Sequence, residues 1–388
     1  MSRFLFVVPP LAGHTFPTVE VGEELRSRGH HVSWAGHAET IGPLLAPGAK
    51  LLPVAAEFYG ETLAQLHRRS LGLRGAAAFR FLWADFLIPL AVSMLPGIAA
   101  AVDEFQPDVL IADQQALAGA LVAHQRGLPW ATSATTSAEL TDPFTYMPQL
   151  GSWAKQCLIN LQHTLGVPTP IDLRYSDHLV LAFTTEVLVG SVHTFPGHYV
   201  FVGPSIGIRR RMVTFPWDWL DPSRQHVLIS LGTVSPSIGR RFFATAVEAV
   251  APLSDRLQAV IVAPPDLVDV PHEHVLIREF IPQLDLLPHL HAVVSHGGHN
   301  TVCETLAHGV PLVVAPIRDD QPVIAHQVTE AGAGLRIQFG RVSPADLRSA
   351  IIRVLDDPSY RSAAQRIQTS FTTAGGAAAA ADHLEKLT

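Results

Sequence analysis

The chain has 388 residues, 48 % of them hydrophobic, which is too long for one ordinary core and too apolar for a disordered chain. We therefore expect two globular domains. Its 27 Lys and Arg residues against 34 Asp and Glu residues give a net charge of −7, and no basic run is long enough to follow a phosphodiester backbone. Nucleic acid is therefore not expected as a partner.

Cysteine content and apolar runs bear on the compartment. Cys157 and Cys303 are the only cysteines, too few for a disulfide framework or a cysteine-based zinc site, which suits a reducing compartment. The opening MSRFLFVVPP has a shorter apolar run than a signal peptide and is predicted to form a strand. The most membrane-like segment, residues 76–102, is interrupted by Arg80, Asp85, Pro89, Pro96 and Gly97. We expect a cytoplasmic protein without an integral membrane segment.

Short β-rich runs alternate with helical patterns in the first half, which predicts parallel α/β units. FLFVVPP is predicted to form a strand, and a helix is predicted from about Pro17 to Arg28 because proline suits a first helical turn. HHVSWAG is predicted to form the next strand. Further strands are predicted at DVLIAD, LPWATSA and HYVFVGP.

A second series of strands begins at HVLISLGTV and continues through LQAVIVAPP, HVLIREFIP, AVVSHGG and VPLVVAP. Between the two series lies a stretch rich in Gly, Pro and Arg, which is typical of an interdomain linker. We predict an amino-terminal domain over residues 1–205, a linker over 206–225, a second domain over 226–370 and a helical tail over 371–388 that can pack back on the first domain. Each domain is predicted to be a doubly wound, Rossmann-like α/β unit.

The stretch VVSHGGHNTVCETLAHG is predicted to form a strand, a tight turn and a helix closed by Gly309. Glycines in the turn let the backbone approach a ligand, and the positive end of a helix favours an anion. His296, Asn300 and Thr301 add donors suited to a diphosphate. Glu304 lies eight residues beyond His296, about 12 Å along a helix, where a carboxylate is placed to accept hydrogen bonds from a ribose diol.

Two neighbouring stretches extend this predicted site. PIRDDQP follows the next strand and therefore lies at the same carboxyl edge of the sheet, where Asp320 and Gln321 suit a polyol such as a sugar. Upstream, FIPQ can support a flat heterocycle, although ordinary strand-end packing explains it as well. The turn after HVLIS places Gly232 and Thr233 near the diphosphate.

The segment FIPQLDLLPHLHAVVSHGGHNTVCETLAHGVPLVVAPIRDDQPVIAHQVTEAGAGLRI resembles the donor-binding signature of family 1 glycosyltransferases, the inverting group with the GT-B fold. The resemblance is to the bacterial branch that glycosylates macrolides, aromatic polyketides and other natural products. It implies two Rossmann-like domains that face each other across a cleft, the first for the acceptor and the second for a nucleotide sugar. The implied donor site consists of Gly232, Thr233, His296, Gly297, Gly298, Asn300 and Thr301 for the diphosphate, Glu304 for the ribose, Phe280, Ile281, Pro282 and Gln283 beside the base, and Asp320 and Gln321 for the sugar.

One departure from the family pattern concerns the base. Plant members stack it on a Trp near the start of the signature, and no Trp occurs here between Phe280 and Gln321. The resemblance implies a UDP- or a dTDP-sugar as the donor, and the choice between uracil and thymine is left open.

The first half supplies the predicted chemistry. VVPPLAGHTFP places His14 in the turn after the first strand, where similar enzymes carry their catalytic histidine. A neutral imidazole can remove the acceptor proton near pH 7, and a nearby helix N-terminus disfavours its protonated form. Asp113 ends the strand DVLIAD at the same edge and resembles the family's carboxylate partner, which would orient the ring and stabilise imidazolium.

Other chemistries have less support. No GxGxxG follows the first strand, so dinucleotide oxidoreduction is not indicated. HGGH lacks a third close ligand for zinc, and no Asp-x-Asp pair suited to a divalent cation with a nucleotide sugar is found. We expect no metal and no cofactor, since the nucleotide sugar is a co-substrate.

The sequence gives less evidence about the acceptor than about the donor. An aromatic-rich helical region occurs where similar enzymes build the acceptor pocket, and its candidates are Phe58, Phe81, Trp83 and Phe86, although most of these aromatic residues are expected in the core. Such a pocket indicates a hydrophobic, ring-containing small molecule. The sequence leaves a monomer and a homodimer open.

These observations predict transfer of a hexose or deoxyhexose from a UDP- or dTDP-sugar to a hydroxyl of a hydrophobic natural product, with inversion. Two alternatives remain at this point: a nucleotide-sugar epimerase of the same architecture, and a non-catalytic auxiliary that binds a partner transferase.

Overall fold

The computed structural model describes residues 1–56, 58, 60–140, 148–192, 194–207, 213–232, 236–264, 267 and 272–388. The chain divides into two compact units. Unit 1 comprises Met1–Thr185, Ser191–Gly207 and Ala374–Thr388, and unit 2 comprises Glu186–Gly190 and Ile208–Thr373. The short segment Glu186–Gly190, predicted in the first domain, therefore groups with unit 2, and residues of the predicted linker from Ile208 onward also group with unit 2.

Unit 1 is built on a seven-stranded parallel sheet. The strands are β1 Arg3–Val7, β2 His31–Gly36, β3 Lys50–Pro53, β4 Val109–Asp113, β5 Trp130–Ala134, β6 Leu179–Ala182 and β7 Tyr199–Phe201. Their order in the sheet is β3-β2-β1-β4-β5-β6-β7. Every residue of β4, β5 and β6 is buried, which explains why their sequences are continuous apolar or small-residue runs and not alternating patterns.

Helices flank this sheet, and the first of them differs from its prediction. Helix α1 begins at Ala12, not near Pro17, because Leu11 has extended backbone and its carbonyl already accepts from the amides of His14 and Thr15. Pro17 lies inside the helix and costs it one hydrogen bond. The other α-helices before the tail are α2 Ala38–Ile41, α3 Leu63–Ser70, α4 Gly75–Arg80, α5 Ile88–Phe105, α6 Leu117–Arg126 and α7 Pro148–Thr164, and Gly42–Leu44 is a 3₁₀ turn.

Helices α4 and α5 join through a π-helical stretch, Phe81–Leu87, which ends two residues before Pro89, a residue that lacks an amide hydrogen to donate. The combined segment, Gly75–Phe105, is long and apolar enough to cross a membrane by length and composition alone. Its apolar face instead packs in the main core of unit 1, through side chains that include Leu90, Met94 and Ile98. A buried core helix passes the same test, so the segment gives only weak evidence of membrane insertion.

The end of the chain packs on unit 1. Helix α14, Pro358–Ala374, is followed by Gly375 in the left-handed region and by helix α15, Gly376–Glu385. Ala380, Ala381 and Leu384 are fully buried in the core that also contains β1. Arg28, the C-cap residue of α1, forms ion pairs with Asp382 and Glu385 of α15 at 2.6 and 2.9 Å.

Unit 2 contains a six-stranded parallel sheet in the order β10-β9-β8-β11-β12-β13. The strands are β8 Gln225–Ser230, β9 Leu257–Val262, β10 Val275–Arg278, β11 Ala292–Ser295, β12 Leu312–Val314 and β13 Gly334–Arg336. The α-helices are α8 Glu186–Val189, α9 Pro236–Val250, α10 Gln283–Leu286, α11 His299–Ala307, α12 Gln321–Glu330 and α13 Pro344–Asp356, together with α14, and 3₁₀ turns occur at Trp217–Trp219, Ala251–Leu253 and Leu287–His289.

In both sheets the order of strands reverses direction at the centre. In unit 1 the connection after β1 leads to β2 on one side, and the connection after β4 leads to β5 on the other side. In unit 2 the connections after β8 and β11 diverge in the same way. Such a switch point opens a crevice at the carboxyl ends of the strands, where doubly wound folds bind their ligands. The predicted doubly wound architecture is confirmed in both units.

Candidate active site

The switch point of unit 1 brings His14 and Asp113 together. His14 lies in the first turn of α1, directly after β1, and Asp113 is the last residue of β4, the neighbour of β1. His14 Nδ1 lies 2.9 Å from Oδ1 and 3.1 Å from Oδ2 of Asp113. The carboxylate side chain is fully buried and the imidazole is 15 % exposed. The two residues predicted to act together are thus in contact, 99 positions apart in sequence.

The contact selects one tautomer of a neutral His14. Two carboxylate oxygens beside Nδ1 favour a proton on that nitrogen, because an unprotonated Nδ1 would place its lone pair against negative charge. The acceptor lone pair of the ring is then on Nε2. A neutral imidazole held this way can take a proton at Nε2 and share the resulting positive charge with Asp113.

Further polar groups around Asp113 were not predicted. The backbone amide of Gln115 donates to Oδ1 at 2.8 Å, and the hydroxyl of Thr135 lies 2.6 Å from Oδ2 and 2.7 Å from His14 Nδ1. Thr135 follows β5, which pairs with β4. The polar run TTSAE directly after the predicted strand LPWATSA was the available signal, since it begins at the same sheet edge as Asp113.

A second carboxyl lies near this pair. Gln115 Nε2 donates to Glu139 Oε1 at 3.4 Å. Burial raises the pKa of Glu139, and the positive charge of Arg174 partly opposes the rise. Gln114 Nε2 and Gln115 Oε1 are buried without a hydrogen-bond partner among the described residues. The edge beside His14 therefore carries several polar groups in addition to the predicted pair.

The aromatic residues predicted for the acceptor mostly belong to the core. Phe58, Trp83 and Phe86 are 1, 2 and 9 % exposed and lie in the main hydrophobic cluster of unit 1, where Phe58 and Phe86 stack at 5.4 Å. Core packing accounts for these three side chains. Phe81 is half-buried, and the guanidinium of Arg69 lies 5.2 Å from the centre of its ring. An acceptor role for Phe81 remains a prediction.

The switch point of unit 2 is organised around His296. This residue follows β11, and its ring is enclosed by two glycines. A Cβ added at Gly232, after β8, would lie 2.6 Å from Cε1 of His296, and one added at Gly298 would lie 2.6 Å from Nε2. Any larger residue at either position would displace the imidazole. Thr233, the other predicted diphosphate residue of the β8 turn, lies outside the described residues.

The turn after β11 leads directly into a helix. Gly297 has a φ of +89°, and Gly298 is the N-cap of α11, whose first residues are His299, Asn300 and Thr301. The predicted order of strand, glycine turn and helix is therefore present, with the positive end of α11 beside His296. Burial lowers the pKa of His296 to about 4, so its imidazole is neutral at pH 7. A neutral ring there is suited to donate one hydrogen bond to an anion.

Glu304 and Gln283 are linked, although they were predicted for different parts of the nucleotide. Gln283 Nε2 donates to Glu304 Oε2 at 2.6 Å. Glu304 lies in the second turn of α11 and is 4 % exposed, while Gln283 is the first residue of α10. Phe280, just before, is 48 % exposed, and Ile281 packs against the small core around Leu286. An exposed aromatic ring three residues before Gln283 suits a nucleoside base.

The loop after β12 holds the two residues predicted for the sugar. Asp320 is the N-cap of α12 and Gln321 is its first residue. Gln321 Oε1 accepts from the amides of Ile317 and Arg318 at 2.8 and 3.1 Å. This oxygen holds the loop, so any bond from Gln321 to a sugar would come from Nε2. Asp319 is exposed, adopts a left-handed φ of +56° and pairs with Arg318.

Metal ligands are not assembled in the part of the chain that the structure describes: no group of three His, Cys, Asp or Glu side chains there could hold an ion. His296 and His299 lie on either side of the glycine turn, and His299 instead contacts Cys303 Sγ at 3.5 Å.

Known proteins resemble this chain over its whole length. Residues 254–387 match the family described as "Erythromycin biosynthesis protein CIII-like, C-terminal domain". The chain is 29 % identical to 4'-demethylrebeccamycin synthase of Lentzea aerocolonigenes, with coverage of 100 % of this chain and 99 % of that protein. It is also 29 % identical to demethyllactenocin mycarosyltransferase of Streptomyces fradiae, with coverage of 100 % of this chain and 87 % of that protein.

A solved structure shares the fold. The glycosyltransferase VinC in complex with dTDP superposes with a TM-score of 0.77 at 22 % identity, and the match covers 99 % of both chains. Together with the two doubly wound units, these similarities show that the chain is a nucleotide-sugar-dependent glycosyltransferase of the GT-B fold, related to the family 1 enzymes of antibiotic biosynthesis.

Proposed function

We propose that this glycosyltransferase moves a hexose or deoxyhexose from a UDP- or dTDP-sugar to a hydroxyl of a hydrophobic natural-product aglycone with inversion, and that His14 is the general base. The contact between His14 Nδ1 and the buried carboxylate of Asp113 is the observation that carries the proposal. It prepares Nε2 to accept a proton.

In the proposed step, Nε2 of His14 takes the proton of the acceptor hydroxyl while the hydroxyl oxygen bonds to the anomeric carbon. The bond from that carbon to the diphosphate oxygen breaks on the opposite face, so the configuration inverts. The nucleoside diphosphate leaves with the bonding electron pair. The imidazolium formed on His14 is stabilised by Asp113, which keeps its negative charge throughout.

The donor site proposed in unit 2 follows the order of the groups in a nucleotide sugar. His296, the glycine turn and the start of α11 would bind the diphosphate, Glu304 would accept from the ribose hydroxyls, and the exposed ring of Phe280 would lie against the base. Asp320 and Gln321 would bind the sugar at the neighbouring strand end. Their placement along one sheet edge supports this assignment.

The leaving diphosphate would be stabilised by the helix end and by hydrogen bonds from the turn, without a cation. We therefore include metal independence and the absence of any resident cofactor in the proposal.

The nature of the substrates is inferred from the relatives. One is named as a 4'-demethylrebeccamycin synthase and the other as a demethyllactenocin mycarosyltransferase, and a structural neighbour holds dTDP. These names support a natural-product acceptor and make dTDP-sugars the first donors to test beside UDP-sugars.

A direct test combines donor and acceptor screening. Purified protein would be incubated with UDP- and dTDP-hexoses and a panel of aromatic and macrolide aglycones, and each product's anomeric configuration would be determined by NMR. We expect a glycoside whose configuration is opposite to that of the donor. Retention of configuration would contradict the mechanism, while conversion of a donor to its epimer without an acceptor would favour the epimerase alternative.

A further inference from the structure

The hydroxyl of Thr135 contacts both members of the His14–Asp113 pair. Thr135 directly follows β5 and is 3 % exposed. In the sheet, Asp113 is paired with Ser133 on β5. Thr135, two residues after Ser133, therefore lies beside the carboxylate and the imidazole. Its hydroxyl lies 2.6 Å from Asp113 Oδ2 and 2.7 Å from His14 Nδ1.

Only one assignment of protons satisfies all three groups. A hydroxyl has one hydrogen to donate and lone pairs to accept with. If it donates to Asp113 Oδ2, its oxygen can accept part of the Nδ1–H of His14. If it donated to His14 Nδ1, that nitrogen would be unprotonated and its lone pair would face the carboxylate at 2.9 and 3.1 Å. The first assignment keeps the proton on Nδ1 and the accepting lone pair on Nε2.

The carboxylate is thereby held at both oxygens. Oδ1 accepts from the amide of Gln115 at 2.8 Å and Oδ2 accepts from Thr135, while the Nδ1–H of His14 is shared between the two oxygens. With both oxygens bonded, the carboxylate cannot rotate without breaking a charge-assisted hydrogen bond inside a buried site.

We propose that Thr135 is a positioning residue of the catalytic pair: it orients the Asp113 carboxylate and, with it, the Nδ1–H tautomer of His14. The inference rests on the proposed role of His14 as the base. Thr135 acts through its two neighbours and contributes to turnover, not to the binding of the nucleotide.

The test compares Thr135→Val, which removes the hydroxyl at nearly constant shape, with Thr135→Ser, which keeps it. We expect Thr135→Val to lower kcat by about 10- to 100-fold, the scale of one hydrogen bond to a charged group, with the donor KM within about twofold of wild type. Thr135→Ser should retain most of the activity. Thr135→Ala provides a second variant without the hydroxyl if the valine does not fold.

A matched control is Thr184→Val. Thr184 is equally buried in unit 1, at 1 % exposure, and its hydroxyl has no hydrogen-bond partner among the described residues, so this substitution should leave kcat unchanged. A fall in kcat for Thr184→Val as large as that for Thr135→Val would show that loss of any buried hydroxyl has this effect and would overturn the inference.

The His14→Ala background separates this inference from the proposed function. If Thr135 acts through His14, adding Thr135→Val to His14→Ala should cause little further loss. A full additional loss, equal damage from serine and valine, or wild-type kcat for both Thr135→Val and Thr135→Ala would overturn the role of Thr135 while leaving His14 as the base. Wild-type activity of His14→Ala would instead refute the proposed base itself.

Discussion

Gln283 Nε2 donates a 2.6 Å hydrogen bond to Glu304 Oε2 and so ties the start of α10 to the second turn of α11. The two residues are 21 positions apart, and the bond fixes one oxygen of a carboxylate that is almost fully buried. An oriented carboxylate is suited to a ribose diol, because less ordering of the side chain is needed when the hydroxyls donate to it.

Glu304→Ala is expected to weaken the binding of UDP or dTDP by about 1.5–3 kcal/mol, the range for hydrogen bonds to a charged group. Turnover of bound donor should change little, since the ribose is remote from the reacting carbon. Calorimetric titration with the nucleotide measures the first quantity and saturating kinetics the second.

The same measurements apply to two companion variants. Glu304→Gln keeps the shape of the side chain, and its nucleotide affinity should lie between those of Glu304→Ala and the wild type. Glu330→Ala changes an exposed side chain of α12 and should bind the nucleotide like the wild type. A large fall in turnover with unchanged nucleotide affinity would contradict the ribose assignment.

Sequence reasoning found most of the strands and missed β3, β6 and β13. The runs at β4, β5 and β8 are apolar or small-residue over five or six buried positions and are therefore recognisable. The strands β3, β6 and β13 have only three or four residues, and β13 contains Gly334 and ends in a charged Arg336. Length alone does not decide, because β7 and β12 also have three residues and were predicted from the longer runs HYVFVGP and VPLVVAP. In β3 and β13 the apolar pattern is interrupted by residues such as Lys50 and Gly334, and the strand conformation is stabilised by the neighbouring strand in the sheet.

The candidate site shows a similar division. His296, the glycine turn and Glu304 lie within nine residues, so strand, turn and helix order alone predicted their common location. Thr135 contacts a histidine 121 positions away, and Gln283 contacts Glu304 through the meeting of two helices. Such contacts depend on strand register and helix packing, which one sequence without the structure does not provide.

Metal independence gives a second prediction. The positive end of α11 and the donors around His296 are expected to bind diphosphate without a cation. UDP or dTDP should therefore raise the melting temperature equally in EDTA and in Mg²⁺, and transfer rates should also be equal. Because each nucleotide chelates Mg²⁺ in solution, the comparison uses nucleotide in excess over the metal. A strict requirement for Mg²⁺ would rule out this part of the proposal.

The enclosure of His296 by glycines gives a third prediction. Gly298 has an ordinary φ of −64°, so alanine there costs no backbone strain, yet its Cβ would lie 2.6 Å from His296 Nε2. Gly298→Ala should displace the ring and weaken nucleotide binding by about tenfold or more, the equivalent of one lost hydrogen bond. Gly72→Ala is the matched control, because a Cβ there meets nothing within 4 Å. Equal nucleotide affinities for the two variants would remove His296 from the diphosphate site.

The fourth prediction tests the base. His14→Ala should bind donor and acceptor nearly as before but lose about 10²–10⁴ in turnover, the usual contribution of a positioned general base. Asp113→Asn should cause a smaller loss, and the double variant should be far from additive because the two side chains act as one unit. The loss of turnover in His14→Ala should be smaller with a phenol acceptor than with an aliphatic alcohol, since part of the phenol is already ionised. Wild-type turnover of His14→Ala on an alcohol would exclude His14 from the mechanism.

The low pKa of His296 gives a fifth prediction, that donor binding depends on pH. In the unliganded protein burial holds this pKa at about 4, against 6.5 for an exposed histidine. Unfolding restores the higher value, so between these two values the unfolded chain binds more protons, and this residue makes folding stability fall as pH decreases from 6.5 towards 4. A diphosphate bound beside His296, as proposed, would act in the opposite direction, because its negative charge would favour the imidazolium and raise the pKa of His296 in the complex.

Binding of a nucleotide sugar should therefore take up protons in the acidic range, and the affinity for UDP-glucose or dTDP-glucose should rise as pH falls from about 7 to about 5.5. A nucleotide sugar is the appropriate probe, because its diphosphate has no proton that titrates in this range, unlike UDP itself. Calorimetry in buffers of different ionisation enthalpy measures the uptake directly. His296→Asn keeps a hydrogen-bond donor without a titrating group, so it should bind more weakly and with less proton uptake. If the variant and the wild type take up the same number of protons, His296 does not face the diphosphate.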